Sequence, residues 1–210
     1  MGLVLTWDRG TILLDGHLPN ELKRLSFLKY DGRVGKYRAL AVYYTRVIAT
    51  AKSMGISVED RVWNLHCSEV KAASEIKLRP YQQEALKSWL KTKRGVVVMP
   101  TGAGKTHVAI AAIAELREPA LVVVPTVELV EQWRGRLWQF FPGRVGVWYG
   151  EEKRESCITV ITYDSAYAAV ETLGNRYKLL IFDEVHHLPS PSYRQIAELS
   201  PAPHRLGLTA

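Results

Sequence analysis

The run Val96-Val97-Val98-Met99-Pro100-Thr101-Gly102-Ala103-Gly104-Lys105-Thr106 constrains the fold more than any other part of the chain. A short apolar strand meets a glycine-rich turn, and Lys105–Leu116, rich in Ala and Ile, continues as a helix. A strand feeding a helix through such a turn belongs to a parallel sheet with helices over its faces. Val96 to Met99 is apolar throughout, as expected of a strand covered on both sides. The turn has a chemistry too. Glycines let backbone N–H groups face phosphate oxygens, and the helix N-terminus adds partial positive charge. In this pattern Thr101, Gly102, Ala103 and Gly104 cradle phosphates, Lys105 reaches the β- and γ-phosphates, and the Thr106 hydroxyl holds Mg²⁺. Met99 stands where the general G-x-x-x-x-G-K-T form has its first glycine.

From Lys77 onward strands and helices alternate. Helices are predicted over Pro80–Leu90, Glu128–Phe140 and Ser165–Leu173, and strands over Leu121–Val124, Val145–Tyr149, Ile158–Thr162, Leu179–Phe182 and Leu206–Thr209. Residues 1–76 read differently, as a small α+β unit with a linker. Leu3–Thr6 and Thr11–Leu14 are β-prone, and Arg9-Gly10 between them favours a hairpin. Pro19, Asp31-Gly32 and Gly35 mark a loop. Tyr37, Leu40, Ala41, Tyr44, Val47, Ile48 and Ala51 form an apolar stripe, which predicts a helix from Tyr37 to Met54 stopped by Gly55.

Composition excludes several classes. With 47% hydrophobic and 23% charged residues the chain is neither collagen-like nor disordered. No apolar run approaches the ~20 residues that span a bilayer, and Met1 to Gly10 does not read as a signal peptide. Two distant cysteines, Cys67 and Cys157, exclude a disulfide scaffold and fit a reducing compartment. A net charge of +7 hints at nucleic acid without naming it.

Leu179-Leu180-Ile181-Phe182 delivers Asp183 and Glu184 to the end of a buried strand, the edge of a parallel sheet where ligands bind. Asp183 is placed to hold the metal, and Glu184 to orient and deprotonate an attacking water. His186 and His187 follow without the spacing of a zinc site, and His66-Cys67 reads as structural. Gln82 offers an amide donor and acceptor suited to an adenine edge; without family context it starts an amphipathic helix.

T-G-A-G-K-T, D-E-V-H-H, L-R-P-Y-Q and Leu208-Thr209-Ala210 resemble motifs I, II, Q and the start of III of superfamily 2 helicases. Val124-Pro125-Thr126 with Gln132-Trp133 resembles motif Ia, and Ile161-Thr162-Tyr163-Asp164-Ser165-Ala166 motif Ib. The run G-N-R-Y-K-L-L-I-F-D-E-V-H-H-L-P and the small leading unit resemble the XPB (xeroderma pigmentosum group B) family in its short archaeal form. The resemblance implies a damage-recognition unit at 1–76 and a first RecA-like P-loop domain at 77–210, ending within motif III. It implies ATP and Mg²⁺ as cofactors, with Arg79 and Gln82 at the nucleotide. The implied activity is that of an ATP-dependent 3′-to-5′ DNA helicase of nucleotide excision repair, acting on damaged or bubble-containing duplex, in some relatives with a nuclease partner. The implied location is the prokaryotic cytoplasm at the nucleoid, or the nucleus of a eukaryote.

The second RecA-like domain, with its arginine finger, lies outside the pattern, so the chain reads as the N-terminal half of a motor. The competing readings are a nucleotide- and DNA-binding module without turnover, and the translocase part of a restriction enzyme; the leading unit and D-E-V-H-H speak against the latter. Thr126 and Thr162 are candidates for DNA phosphates, or plain helix caps. Trp7, Phe27, Tyr30, Tyr37, Tyr43, Tyr44 and Trp63 offer rings for distorted bases, although Tyr37 and Tyr44 lie on the apolar stripe.

Overall fold

Arg9 and Gly10 both take positive φ, +41° and +82°, so the chain reverses in two residues. The computed structural model, which describes residues 2–210, pairs β1 (Leu3–Asp8) with β2 (Thr11–Gly16) around this turn. A one-turn helix α1 (Asn20–Lys23) and β3 (Lys29–Asp31) follow, then β4 (Lys36–Leu40), α2 (Tyr44–Ser53) and β5 (Val58–Arg61). The sheet has five strands in the order β3-β4-β2-β1-β5. Alternate residues Leu3, Leu5, Ile12, Leu14 and Ala39 point to one face, where Val47 and Ala51 of α2 close the core.

Two expectations fail in this unit. The segment around Asp31-Gly32 and Gly35 is a β3–β4 hairpin rather than a loop alone. The helix expected from Tyr37 begins at Tyr44, because Tyr37–Leu40 pairs with Leu14–Thr11 of β2 and Ala41–Tyr43 forms a 3₁₀ turn. Ladder bonds to a waiting strand edge outweigh a helical stripe that starts seven residues too early in sequence. Gly55 does end α2, at φ +68°.

The second sheet is built from α3 (Pro80–Thr92), β6 (Arg94–Val98), α4 (Lys105–Leu116), β7 (Ala120–Val124), α5 (Val127–Phe140) and β8 (Val145–Tyr149). It continues through β9 (Glu152–Arg154), β10 (Ile158–Thr162), α6 (Tyr163–Leu173), β11 (Leu179–Phe182), α7 (Arg194–Glu198) and β12 (His204–Thr209). The seven strands run in the order β6-β12-β11-β7-β10-β8-β9, parallel except for β9. Strands β7, β10 and β11 are buried along their whole length. Strand β6 is not covered as expected: it is an edge, with Val96 and Val98 55% and 67% exposed. The short β9 and α7 carry too few residues for a periodic signal.

Residues 64–76 belong to the second core. Val70 is buried among its residues, with Cys67, Ala72 and Ile76 packed alongside. Val70 N–H donates to Arg117 O at 2.8 Å, and Ala73 N–H to Phe140 O at 2.7 Å. This packing also corrects the reading of the cysteines: Cys67 and Cys157, 90 residues apart, form a disulfide with Cα atoms 5.5 Å apart. Their separation in sequence hid a proximity made by the linker folding back beside β10. Among the described residues no helix is long and apolar enough to cross a membrane.

Candidate functional site

The C-terminal ends of the parallel strands share one edge, and the turn after β6 opens there. Gly102 and Gly104 take φ +80° and +85°, and Ala103 N–H closes the turn on Pro100 O at 3.1 Å. These left-handed positions let the neighbouring N–H groups that the turn does not use face outward at the start of the twelve-residue α4. Lys105 Nζ donates to Met99 O at 3.1 Å, folding the ammonium over its own loop. Thr101 and Gly102 are exposed, whereas Thr106 is buried and its Oγ1 accepts from Arg136 Nη1 at 2.9 Å.

Gln82 lies on the first turn of α3 and is buried beneath this loop. Its Oε1 accepts from Arg79 N–H at 2.9 Å, and its Nε2 donates to Ala103 O at 2.8 Å. Both ends of the amide that sequence assigned to an adenine edge are therefore engaged within the protein. The Arg79 guanidinium donates to Tyr81 Oη at 3.1 Å, and that hydroxyl donates to Ala103 O at 2.9 Å. The α3 start and the phosphate-loop turn thus form one hydrogen-bonded unit.

Asp183 and Glu184 stand at the end of β11. Asp183 N–H donates to Val123 O at 2.9 Å, tying the backbone to β7. The Asp183 carboxylate is buried; its Oδ2 accepts from Trp133 Nε1 at 2.8 Å and its Oδ1 from Glu184 N–H at 3.1 Å. Burial pushes its pKa above the usual carboxylate value, against the lowering effects of the Trp133 and Glu184 hydrogen bonds and the Lys105 charge. Tyr163 Oη donates to Asp183 O at 3.0 Å. Glu184 sits at φ +47°, a left-handed conformation that costs a residue with a Cβ about 1–2 kcal/mol. Its Oε2 lies 3.5 Å from His186 Nδ1.

A hydroxyl and one carboxylate are hard oxygen donors, and Mg²⁺ is held by such a small protein set completed by phosphates and water. Among the described residues no group of three or more His, Cys, Asp and Glu could form an all-protein cage. The donor chemistry of Thr106 and Asp183 therefore fits Mg²⁺.

Thr126 and Thr162 are helix caps: Thr126 Oγ1 accepts from Leu129 N–H at 3.4 Å, and Thr162 Oγ1 from Ser165 N–H at 3.3 Å. Their helices, α5 and α6, follow β7 and β10 at the same sheet edge as the phosphate loop. Sequence reasoning passed over Arg136 and gave Trp133 a place in the motif Ia resemblance but no partner; from α5 they reach Thr106 and Asp183. Their spacing of three residues on one helix face was the available signal. In the leading unit Phe27 and Tyr43 stack at 4.3 Å with the Arg46 guanidinium 4.8 Å from the Phe27 ring centre. They line a groove of about 690 Å³ with Tyr30 and Arg33. Tyr44 and Trp63 instead pack edge to face, and Trp7 lies against Gly174.

Two family models match the chain. One, described as xeroderma pigmentosum group B helicase damage recognition domain, covers residues 5–62; the other, described as type III restriction enzyme, res subunit, covers 75–210. The first match separates the chain from a restriction translocase. The DNA 3'-5' translocase XPB2 of Sulfurisphaera tokodaii is 44% identical over 98% of this chain and 45% of its own length. The DNA 3'-5' helicase XPB of Kineococcus radiotolerans is 38% identical over 63% of this chain and 26% of its own. The chain thus spans less than half the length of these relatives. Among solved structures, the UvsW helicase of bacteriophage T4 matches the whole chain and 92% of its own at a TM-score of 0.58 and 15% identity, a likeness of fold. The leading sheet matched by a damage-recognition model, the P-loop domain behind it and an XPB2 alignment over 98% of this chain agree: the chain belongs to the XPB family of superfamily 2 helicases.

Proposed function

We propose that this chain supplies the damage-recognition unit with its linker (1–76) and the first RecA-like lobe (77–210) of an ATP-driven 3′-to-5′ DNA helicase or translocase of nucleotide excision repair. The observation that carries the reading is the phosphate-loop turn at the same sheet edge as Asp183 and Glu184, in a chain of this family. The amides of Gly102, Gly104 and Lys105 bind the phosphates, and Lys105 leaves the Met99 carbonyl to pair with the β- and γ-phosphates. Thr106 and Asp183 hold Mg²⁺, which when bound neutralises charge developing on the phosphoryl oxygens. Glu184 orients a water and takes its proton as the water oxygen bonds to the γ-phosphorus and the bond to the β-phosphate oxygen breaks, releasing ADP. Arg79 and Gln82 serve the adenine side, with the Gln82 amide exchanging a loop partner for the base.

Thr126 and Thr162, with the amides of the helix starts they cap, offer contacts to DNA phosphates, and the Phe27–Tyr43 groove offers stacking for a displaced base. Full turnover and strand separation belong to a protein that also carries a second RecA-like lobe, whose arginine finger is typically worth ~10³–10⁵ in rate. A nuclease partner, and action at the nucleoid or in a nucleus, form part of the same reading.

Single-turnover ATP hydrolysis with the chain in excess tests it. Glu184→Gln should retain nucleotide binding and slow hydrolysis about 10²- to 10⁴-fold, the usual worth of a general base. Lys105→Ala should lose binding. Hydrolysis by Glu184→Gln at the unaltered rate removes the catalytic assignment.

A further inference from the structure

Helix α5 brings an indole to a carboxylate in the middle of the sheet edge. Trp133 is 1% exposed and donates from Nε1 to Asp183 Oδ2 at 2.8 Å. An indole has one donor and no acceptor, so this bond is the only one the ring can make. The second carboxylate oxygen accepts Glu184 N–H at 3.1 Å. A carboxylate gripped at both oxygens cannot turn about its terminal torsion, which is otherwise broad. Of its roughly four lone-pair sites, two remain for a cation. Packing alone does not call for the donor, since a phenyl ring fills apolar space as well.

We propose that Trp133 is a positioning residue that holds the Asp183 carboxylate in the orientation that receives Mg²⁺. This rests on the nucleotide-site reading above. The indole is not a ligand and touches no substrate; it acts through Asp183, as outer partners of metal ligands do. Arg136, three residues on, differs: it is exposed, and the Thr106 hydroxyl it meets can rotate away.

The test is Mn²⁺ binding to the ADP-saturated chain, read by electron paramagnetic resonance. Trp133→Phe removes the donor but leaves a smaller ring in the core. A second protein therefore carries benzothienylalanine at position 133, which keeps the ring size and replaces the N–H by sulfur. In both, the Mn²⁺ dissociation constant should rise about 10- to 100-fold. Affinity for fluorescent ADP in excess EDTA should not change, whereas a purely structural role would weaken it in parallel. Unchanged Mn²⁺ affinity in the benzothienylalanine protein overturns the proposal, and so does a matching loss of metal-free ADP binding. If the unaltered chain takes up no Mn²⁺ with ADP, the nucleotide-site reading fails, and this proposal with it.

Discussion

Gly104 is held at φ +85°, and a Cβ built there would collide with the Gln82 amide. Gly102 has nearly the same backbone, φ +80°, with nothing within 4 Å of a Cβ. The pair separates two costs. Gly102→Ala bears only the left-handed penalty, about 1–2 kcal/mol. Gly104→Ala bears it too and must also break the α3–loop hydrogen bonds, so its urea midpoint should fall further and nucleotide binding should be lost. Equal midpoints for the two variants would show that Gln82 yields freely. Gln82→Ala should relax a preference for ATP over GTP, measured by competition binding, because a polar edge once paired is left open. At this scale sequence is most informative where the chemistry is contiguous. Thr101–Thr106 and Asp183-Glu184 each occupy adjacent positions, so their residue types alone indicate phosphate and carboxylate chemistry. Trp133 and Arg136 meet their partners across 50 and 30 residues, and an apolar helical stripe absorbs a tryptophan without comment.

Among the elements, the failures of sequence reading share a cause. Tyr37–Leu40 carries a helical stripe and a strand pattern at once, and the partner that decides is β2, more than twenty residues earlier. Val96 and Val98 look covered because composition cannot tell an edge strand from a central one. The β3–β4 hairpin is held partly by charge: Asp31 accepts from Arg33 Nε and Arg38 Nε, each at 3.0 Å. Arg33, with Arg38, holds the Asp31 carboxyl well below the usual carboxylate range. A depressed folded pKa means its stabilisation is present above the unfolded value near ~3.9 and is lost as pH falls through the folded one. Asp31→Asn should therefore lower Tm at neutral pH, by a margin that shrinks as the solution is acidified. A margin independent of pH would assign the effect to packing. The disulfide joins the linker to β10 across 90 residues. Closing a loop of this size restricts the unfolded chain, and such bridges are typically worth about 2–4 kcal/mol. A phosphine reductant should lower Tm in the unaltered chain and leave a Cys67→Ser variant, already destabilised, unmoved. Two titratable thiols in the purified, denatured chain would remove the bridge.

At the level of the whole molecule, the two sheets meet where side chains are smallest. A Cβ at Gly10 would come within 2.7 Å of Leu199 Cβ, and one at Gly174 within 2.8 Å of Trp7 Cη2. Beside these close approaches Asn175, buried at 6% exposure, donates from Nδ2 to Val62 O at 2.7 Å, while Asn64 N–H donates to Asn175 O at 3.2 Å. Val62 is itself fully buried, so its carbonyl has no water to turn to if the amide is removed. An orphaned buried acceptor costs about 1–3 kcal/mol. That penalty falls on the junction rather than on either core, since Asn175 joins the end of one sheet to the helix–strand corner of the other. The unaltered chain should unfold in one calorimetric transition with equal van't Hoff and calorimetric enthalpies, because linker residues 64–76 and this junction couple the units. In Asn175→Ala the coupling weakens, and the leading unit, with the smaller core, should melt first as a separate transition. Asn175→Asp should act more strongly at neutral pH, since it turns an acceptor toward an acceptor. Were Asn175→Ala to melt in a single transition at the unaltered Tm, the amide would be incidental and the linker alone would hold the two sheets together.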